Sequence, residues 1–295
     1  MAVRDVAMTA LKKLGTIGLA FLALNADSTA IRGMASVPGQ TPSRGPLTLT
    51  YVANMGVLVG SGGTKVLIDG LFINPGRSYR VPPAETLDKI MRGEPPFDGI
   101  DLILVTHRHV DHFDAALSVR YLESRPEPLL IAPSDAVEEM RKAGPEWPRI
   151  ASRVISIDLK VGEKMTKTAA GLPLTVVRTC HGQRETPMNL MYLVEIEGWR
   201  VFHPGDSSGK QEDFLGFGLE TDPVDLAVMS PGWPFSPHLP HRRFLREMLR
   251  PHHLALGHIH VGIENDISGQ IEKVRGDFED IFALLPGMPV KIFRK

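Results

Sequence analysis

The chain has 295 residues, 43% hydrophobic and 23% charged, which is enough apolar mass for a packed core and excludes a low-complexity or charge-extended polymer. Its 33 basic and 34 acidic residues leave a formal net charge of -1, so there is no basic field of the kind nucleic-acid binding uses. The lone cysteine, Cys180, excludes an internal disulfide and any cysteine-rich metal module, whereas the 11 histidines make nitrogen and oxygen the available metal donors.

In chain order, Lys12 and Lys13 precede a short apolar run from Leu14 to Leu24, and the small residues Ala26, Ser28 and Ala30 follow. This is the pattern of an export signal, with an N-terminal helix as the alternative reading of residues 1–30. As a signal it would place the protein outside the cytoplasm, in a periplasm where there is one; otherwise the protein would be cytoplasmic. The run falls short of the ~20 apolar residues of a membrane span. Residues 31–46 are rich in Gly, Pro and Ser and read as a linker, so the folded domain is expected over 47–295.

Strands are expected at 47–52, 57–59 and 65–69, joined by tight turns. A Pro- and Gly-rich loop with a short helix at 84–91 follows, then a buried strand at 100–106. Helices are expected at 115–124 and 134–142, with a strand at 129–131 between them. Further strands read at 154–159, 174–179, 191–196, 200–202, 226–229 and 253–256, and helices at 242–249 and 271–285. Two packed mixed sheets with helices on their outer faces, an α+β four-layer αββα sandwich, accommodate this order.

The chemistry is concentrated in Thr106-His107-Arg108-His109-Val110-Asp111-His112, where four residues able to bind metal fall within six positions. On an extended backbone His107, His109 and Asp111 point one way and His112 diverges, so one segment could serve two neighbouring ions if it curls at the end of the strand. Imidazole and carboxylate donors suit zinc, iron or manganese. The competing reading, a solvated histidine run, fits poorly with a segment that leaves a buried strand and enters a helix.

The pattern His107-x-His109-x-Asp111-His112 after an apolar strand ending in Thr resembles the signature of the metallo-β-lactamase superfamily, and the resemblance extends over residues 47–262. It implies a metal-dependent hydrolase holding two divalent ions, zinc ahead of manganese or iron. His107, His109 and His181 would hold one ion, and Asp111, His112 and His258 the other. Asp206, in Val201-Phe-His-Pro-Gly-Asp206, would bridge them. Asp69 would support the ligands, or simply form a turn before Gly70, and His203 is read as structural. Both His258 and His260 are candidates for the last ligand; His258 directly follows the strand and Gly257, leaving His260 to line the pocket.

The resemblance further implies that a hydroxide between the ions attacks a small-molecule substrate, with Asp111 orienting it and shuttling protons. The bridging aspartate points away from drug-hydrolysing β-lactamases and toward the lactonase and phosphodiesterase branch, hence an ester, lactone or phosphodiester. An iron-dependent oxidoreductase of the same fold, of the sulfur dioxygenase kind, and a non-catalytic binding module are the alternatives. Pocket walls are expected from residues 75–79, 183–188 and 233–241. The last segment sets Trp233, Phe235, His238 and His241 among prolines, as an aromatic wall or as a surface connection.

Overall fold

A computed structural model describes residues 44–295 apart from 75, 77, 208–218, 220, 221, 237–240 and 242. The expected export signal, residues 31–43 of the expected linker, and His238 therefore lie outside the described residues. Among those described, no helix is long and apolar enough to cross a membrane.

The first half begins with an antiparallel meander of β1 (Leu47–Ala53), β2 (Gly56–Ser61) and β3 (Thr64–Ile68). Three parallel strands extend it, β4 (Leu102–Leu104), β5 (Leu129–Pro133) and β6 (Val154–Ile157). The helices α1 (Ala84–Arg92), α2 (Ala115–Ser124), α3 (Ser134–Ala143) and α4 (Trp147–Ile150) lie in the connections. The second half repeats the plan. An antiparallel run of β7 (Lys164–Ala169), β8 (Leu172–His181), β9 (Arg184–Ile196) and β10 (Trp199–His203) is extended in parallel by β11 (Leu226–Met229), β12 (His253–Leu256) and β13 (Asp280–Ala283). Here the connections hold α5 (Gly232–Phe235), a π-helix (Phe244–Leu249) and α6 (Ile267–Val274). A last strand, β14 (Lys291–Phe293), returns to pair with β1. The two seven-stranded sheets have the orders β14-β1-β2-β3-β4-β5-β6 and β13-β12-β11-β10-β9-β8-β7.

The apolar strands are buried on both faces, which is why they read as continuous runs. Leu102 and Leu104 of β4 meet Leu190, Tyr192 and Val194 of β9 between the sheets. Ile103 turns outward onto Leu117 and Leu122 of α2, while Ala227 and Met229 turn outward onto Phe244 and Leu245 of the π-helix. The result is the expected four layers, helix–sheet–sheet–helix.

β7, β14, α4 and α5 were not among the expected elements, and three expected ones take another form. The strand expected at 100–106 is regular only over Leu102–Leu104; the Val105 N–H still donates to Ile131 and the Thr106 carbonyl accepts from Leu190, and the chain curls beyond them. The helix expected at 242–249 is a π-helix over Phe244–Leu249. The helix expected at 271–285 is α6 followed by a strand: Ile267–Val274 closes earlier, and Asp280–Ala283 pairs with β12 in register His253↔Asp280. Ile281 fills the outer core and Leu284 the core between the sheets, an alternation that a strand satisfies and a helix does not.

Candidate metal centre

The loops leaving β3, β4, β8, β10 and β12 meet at one edge of the sandwich, and each brings one part of the cluster. Asp69 follows β3 with φ 47°. It is buried and accepts three hydrogen bonds: from the Thr106 backbone N–H at 2.8 Å, from the Thr106 hydroxyl at 2.7 Å and from His112 Nδ1 at 2.8 Å. The support role thus has a geometric basis that a simple turn would lack. Because the Thr106 hydroxyl donates to Asp69, it accepts from His107 Nδ1, 2.9 Å away. Both His107 and His112 thereby carry a proton on Nδ1 and turn Nε2 toward the cluster, the orientation a metal ligand needs; Nε2 of His107 has no hydrogen-bond partner, while that of His112 lies 3.3 Å from Asn54 Nδ2.

Beyond His107 the chain is not extended. The His109 carbonyl accepts from the backbone N–H groups of His112 and Phe113, closing a turn. The shared face that an extended backbone would give Asp111 with His107 and His109 does not form; the segment curls at the strand end, the condition under which one segment can serve two ions. The turn groups Asp111 with His112, and α2 begins directly after it, capped by the Asp114 carboxylate on the Leu117 N–H at 2.7 Å.

Two sets of donor atoms result, each within 4.8 Å of one another: His107, His109, His181 and Asp206 in one, and Asp111, His112 and His258 in the other. Asp206 lies between them. Its Oδ2 is 3.8 Å from His107 Nε2, 3.3 Å from His181 Nε2 and 3.1 Å from His258 Nε2, and its Oδ1 is 3.5 Å from His112 Nε2. The loop that carries Asp206 is tightly built. Gly205 has φ 57°, and a Cβ there would fall 2.5 Å from Asn189 Oδ1 and 2.7 Å from Thr106 Cβ. The Asn189 carbonyl accepts from the Asp206 N–H, while buried His203 donates through Nε2 to the Met55 carbonyl and accepts from the Gly205 N–H. His203 thus ties the loop that carries Asp206 to the β1–β2 turn and lies outside both donor sets.

The charges explain one another. At Asp206 burial opposes ionisation, but His258 and His112 outweigh it and hold the carboxyl well below its usual range. Burial likewise opposes charging of His258, but Asp206 and Asp111 raise it to about 10. His107 is pushed well down, by burial first and then by His112. The two carboxylates thus favour positive charge on His258, while His107 stays neutral.

A divalent ion fits this donor set. The Nε2 atoms of His107, His181 and His258 are buried with no hydrogen-bond partner. Ligands sharing an ion at 2.0–2.1 Å in tetrahedral geometry stand about 3.4 Å apart, and the separations around Asp206 run from 3.1 to 3.8 Å.

Other expected residues separate clearly. His258, with φ 54°, is in the cluster. His260 is exposed and accepts from the Gly262 N–H instead. Trp233 is 4% exposed and packs on Phe244 with ring centroids 5.4 Å apart, because α5 turns its indole into the layer between sheet and helices. Tyr79, in the expected wall 75–79, stacks on His258 at 4.1 Å. Its hydroxyl is raised to about 12, by burial first and then by Asp206 and Asp111, so it keeps its proton at neutral pH.

Two contributors were not anticipated from the sequence. Asn189 holds the Asp206 loop, and Asn54, in the β1–β2 turn, donates to the Asp111 carbonyl at 3.0 Å and to its Oδ2 at 3.1 Å. Neither has metal-ligand chemistry, and both lie far from the histidine run in sequence, so no local motif marks them.

Comparison with known proteins agrees with this architecture. Among solved structures, the chain is similar to Igni18, a metallo hydrolase from Ignicoccus hospitalis, at 19% identity and a TM-score of 0.59, over 85% of this chain and 99% of that one. It is similar to the metallo-β-lactamase fold protein YhfI from Bacillus subtilis at 17% identity and a TM-score of 0.57, over 84% of this chain and all of that one (100%). At these identities the likeness is one of fold. No curated protein sequence matches the chain. The sequence profile of the Beta-lactamase superfamily domain matches residues 70–265, from the turn after Asp69 to just past His258 and His260. With most of its length matched by that profile and its two sheets in the metallo-β-lactamase arrangement, the chain belongs to the beta-lactamase superfamily.

Proposed function

We propose that the protein is a metal-dependent hydrolase that cleaves an ester or lactone, using two divalent ions of which zinc is the best fit to the donors. The observation that carries this reading is the convergence of three partnerless, buried imidazole nitrogens on the Asp206 carboxylate. Divalent ions held there would supply a water nucleophile at neutral pH and polarise the bond under attack.

This chain's own residues would do the rest. Asp206 would offset the repulsion between two cations held on either side of it. Asp111, whose side chain keeps 13% of its surface exposed, can take and return the proton of the reaction at Oδ2, and Tyr79 presents a protonated hydroxyl beside His258. The rim supports an uncharged substrate group. Ile73, Val110 and Val261, 49%, 52% and 36% exposed, stand on loops that carry or adjoin the ligands. Arg80 and Arg108, on the same loops, are already committed to Glu264 and to Asp135 and Glu139. A phosphodiester anion would find those two cations neutralised, which places it second.

The test is metal analysis of the purified protein, then a screen of lactones, carboxylic esters and phosphodiesters. Two divalent ions per chain and ester or lactone turnover are expected, and Asp206→Ala should lose both bound metal and hydrolysis. Iron with oxygen consumption would instead favour the oxidoreductase alternative, and failure to bind metal would favour a non-catalytic module.

A further inference from the structure

Within the β1–β2 turn, Asn54 reaches into one half of the metal centre and not the other. Asn54, 2% exposed, contacts all three residues of the Asp111, His112 and His258 set. Its Nδ2 donates to the Asp111 carbonyl at 3.0 Å and to Asp111 Oδ2 at 3.1 Å, and lies 3.3 Å from His112 Nε2. Its carbonyl accepts from the His258 N–H at 3.2 Å. Among the described residues, no hydrogen bond joins it to His107, His109, His181 or Asp206. The amide Oδ1 is buried with no donor, so the side chain is held by its Nδ2 end alone. A buried acceptor left unpaired costs free energy, and the arrangement keeps the donor end at Asp111 despite that cost.

We propose that Asn54 is a positioning residue for one of the two cation positions only, orienting the Asp111 carboxylate and seating the His258 backbone while leaving the other position untouched. This rests on the two-ion reading above. The Asn54 carbonyl also fixes how closely the last ligand loop approaches: a Cβ on Gly257, the residue before His258, would fall 2.8 Å from it. The turn therefore sets the position of both Asp111 and His258 from a single residue.

A plain conformational explanation competes. Asn54 has φ 51°, and asparagine is favoured at positive φ whatever its side chain touches. The two explanations make opposite predictions for Asn54→Gly. Glycine adopts this φ without strain, so the turn survives, but the amide is gone. Asn54→Ala serves as the second variant, removing the amide at a modest backbone cost.

The experiment strips metal from the full chain, confirms the fold by circular dichroism, and titrates with zinc or cobalt, following heat and the cobalt absorption bands. Wild type should take up two equivalents. In both variants one equivalent should bind as in wild type, while the other weakens by about 10–100-fold, the usual effect of losing a hydrogen bond that orients a ligand. Two unchanged equivalents would overturn the proposal in favour of the conformational explanation. Equal weakening of both would overturn it as well, because the contacts reach only one set. A wild type that binds no metal would instead sink the two-ion reading itself, a separate outcome.

Discussion

Asp69 turns an ordinary run of histidines into a set of aimed ligands. With Oδ1 on the Thr106 N–H and Oδ2 on the Thr106 hydroxyl and His112 Nδ1, it fixes one tautomer directly and a second through Thr106. Asp69→Asn would replace an anion with an amide that must turn a donor toward one of these groups. Metal affinity should then fall about 10–100-fold, measured by competition with a chromophoric chelator. His260→Ala should leave affinity unchanged, because that ring stands outside the cluster, and His258→Ala should remove one equivalent. Equal effects of the two histidine substitutions would contradict the assignment.

At the scale of elements, the site depends on where strands stop. β4 ends at Leu104, and the freed segment can make the turn that pairs Asp111 with His112. β10 ends at His203, and Gly205 lets the next turn pass against Asn189 and Thr106. Gly205→Ala should cost about 1–3 kcal/mol through overpacking and reduce metal uptake, since the displaced loop carries Asp206. Trp233→Ala is the contrasting case. It should cost about 3–5 kcal/mol in denaturant unfolding yet leave metal stoichiometry intact, as its indole packs on Phe244 away from the centre. Much of this was legible in the sequence, because a spacing such as His107-x-His109-x-Asp111-His112 and apolar runs such as 226–229 are local signals. A curl at the strand end was legible as a condition of serving two ions, but its closure at His109 was not, since it depends on a strand that closes two residues earlier than its apolar run. Nor was the burial of Trp233, because proline and aromatic residues read alike as a surface wall or an inward wedge. Asn54 escaped for a third reason: its role exists only once β1 and β2 bring a turn against residues 57 positions away.

For the molecule as a whole, two similar half-sandwiches meet face to face, and the donors come from both. Asp69, His107, His109, Asp111 and His112 belong to the first half, and His181, Asp206 and His258 to the second. An ion bound there links the halves, so binding should stabilise the entire fold rather than one loop. At free metal 100-fold above the dissociation constant the gain is about 2.7 kcal/mol per site. Chelation should therefore lower the unfolding temperature, and restored metal should recover it; an unchanged temperature would mean that the cluster binds no ion of consequence.

The most direct measurement is anomalous scattering from crystals of the metal-loaded protein, collected at the absorption edge of the bound metal. Two peaks about 3.5–4 Å apart should straddle the Asp206 carboxylate, one ringed by His107, His109 and His181 and the other by Asp111, His112 and His258. A single peak, or peaks away from Asp206, would contradict a bridged pair of ions as the basis of the chemistry.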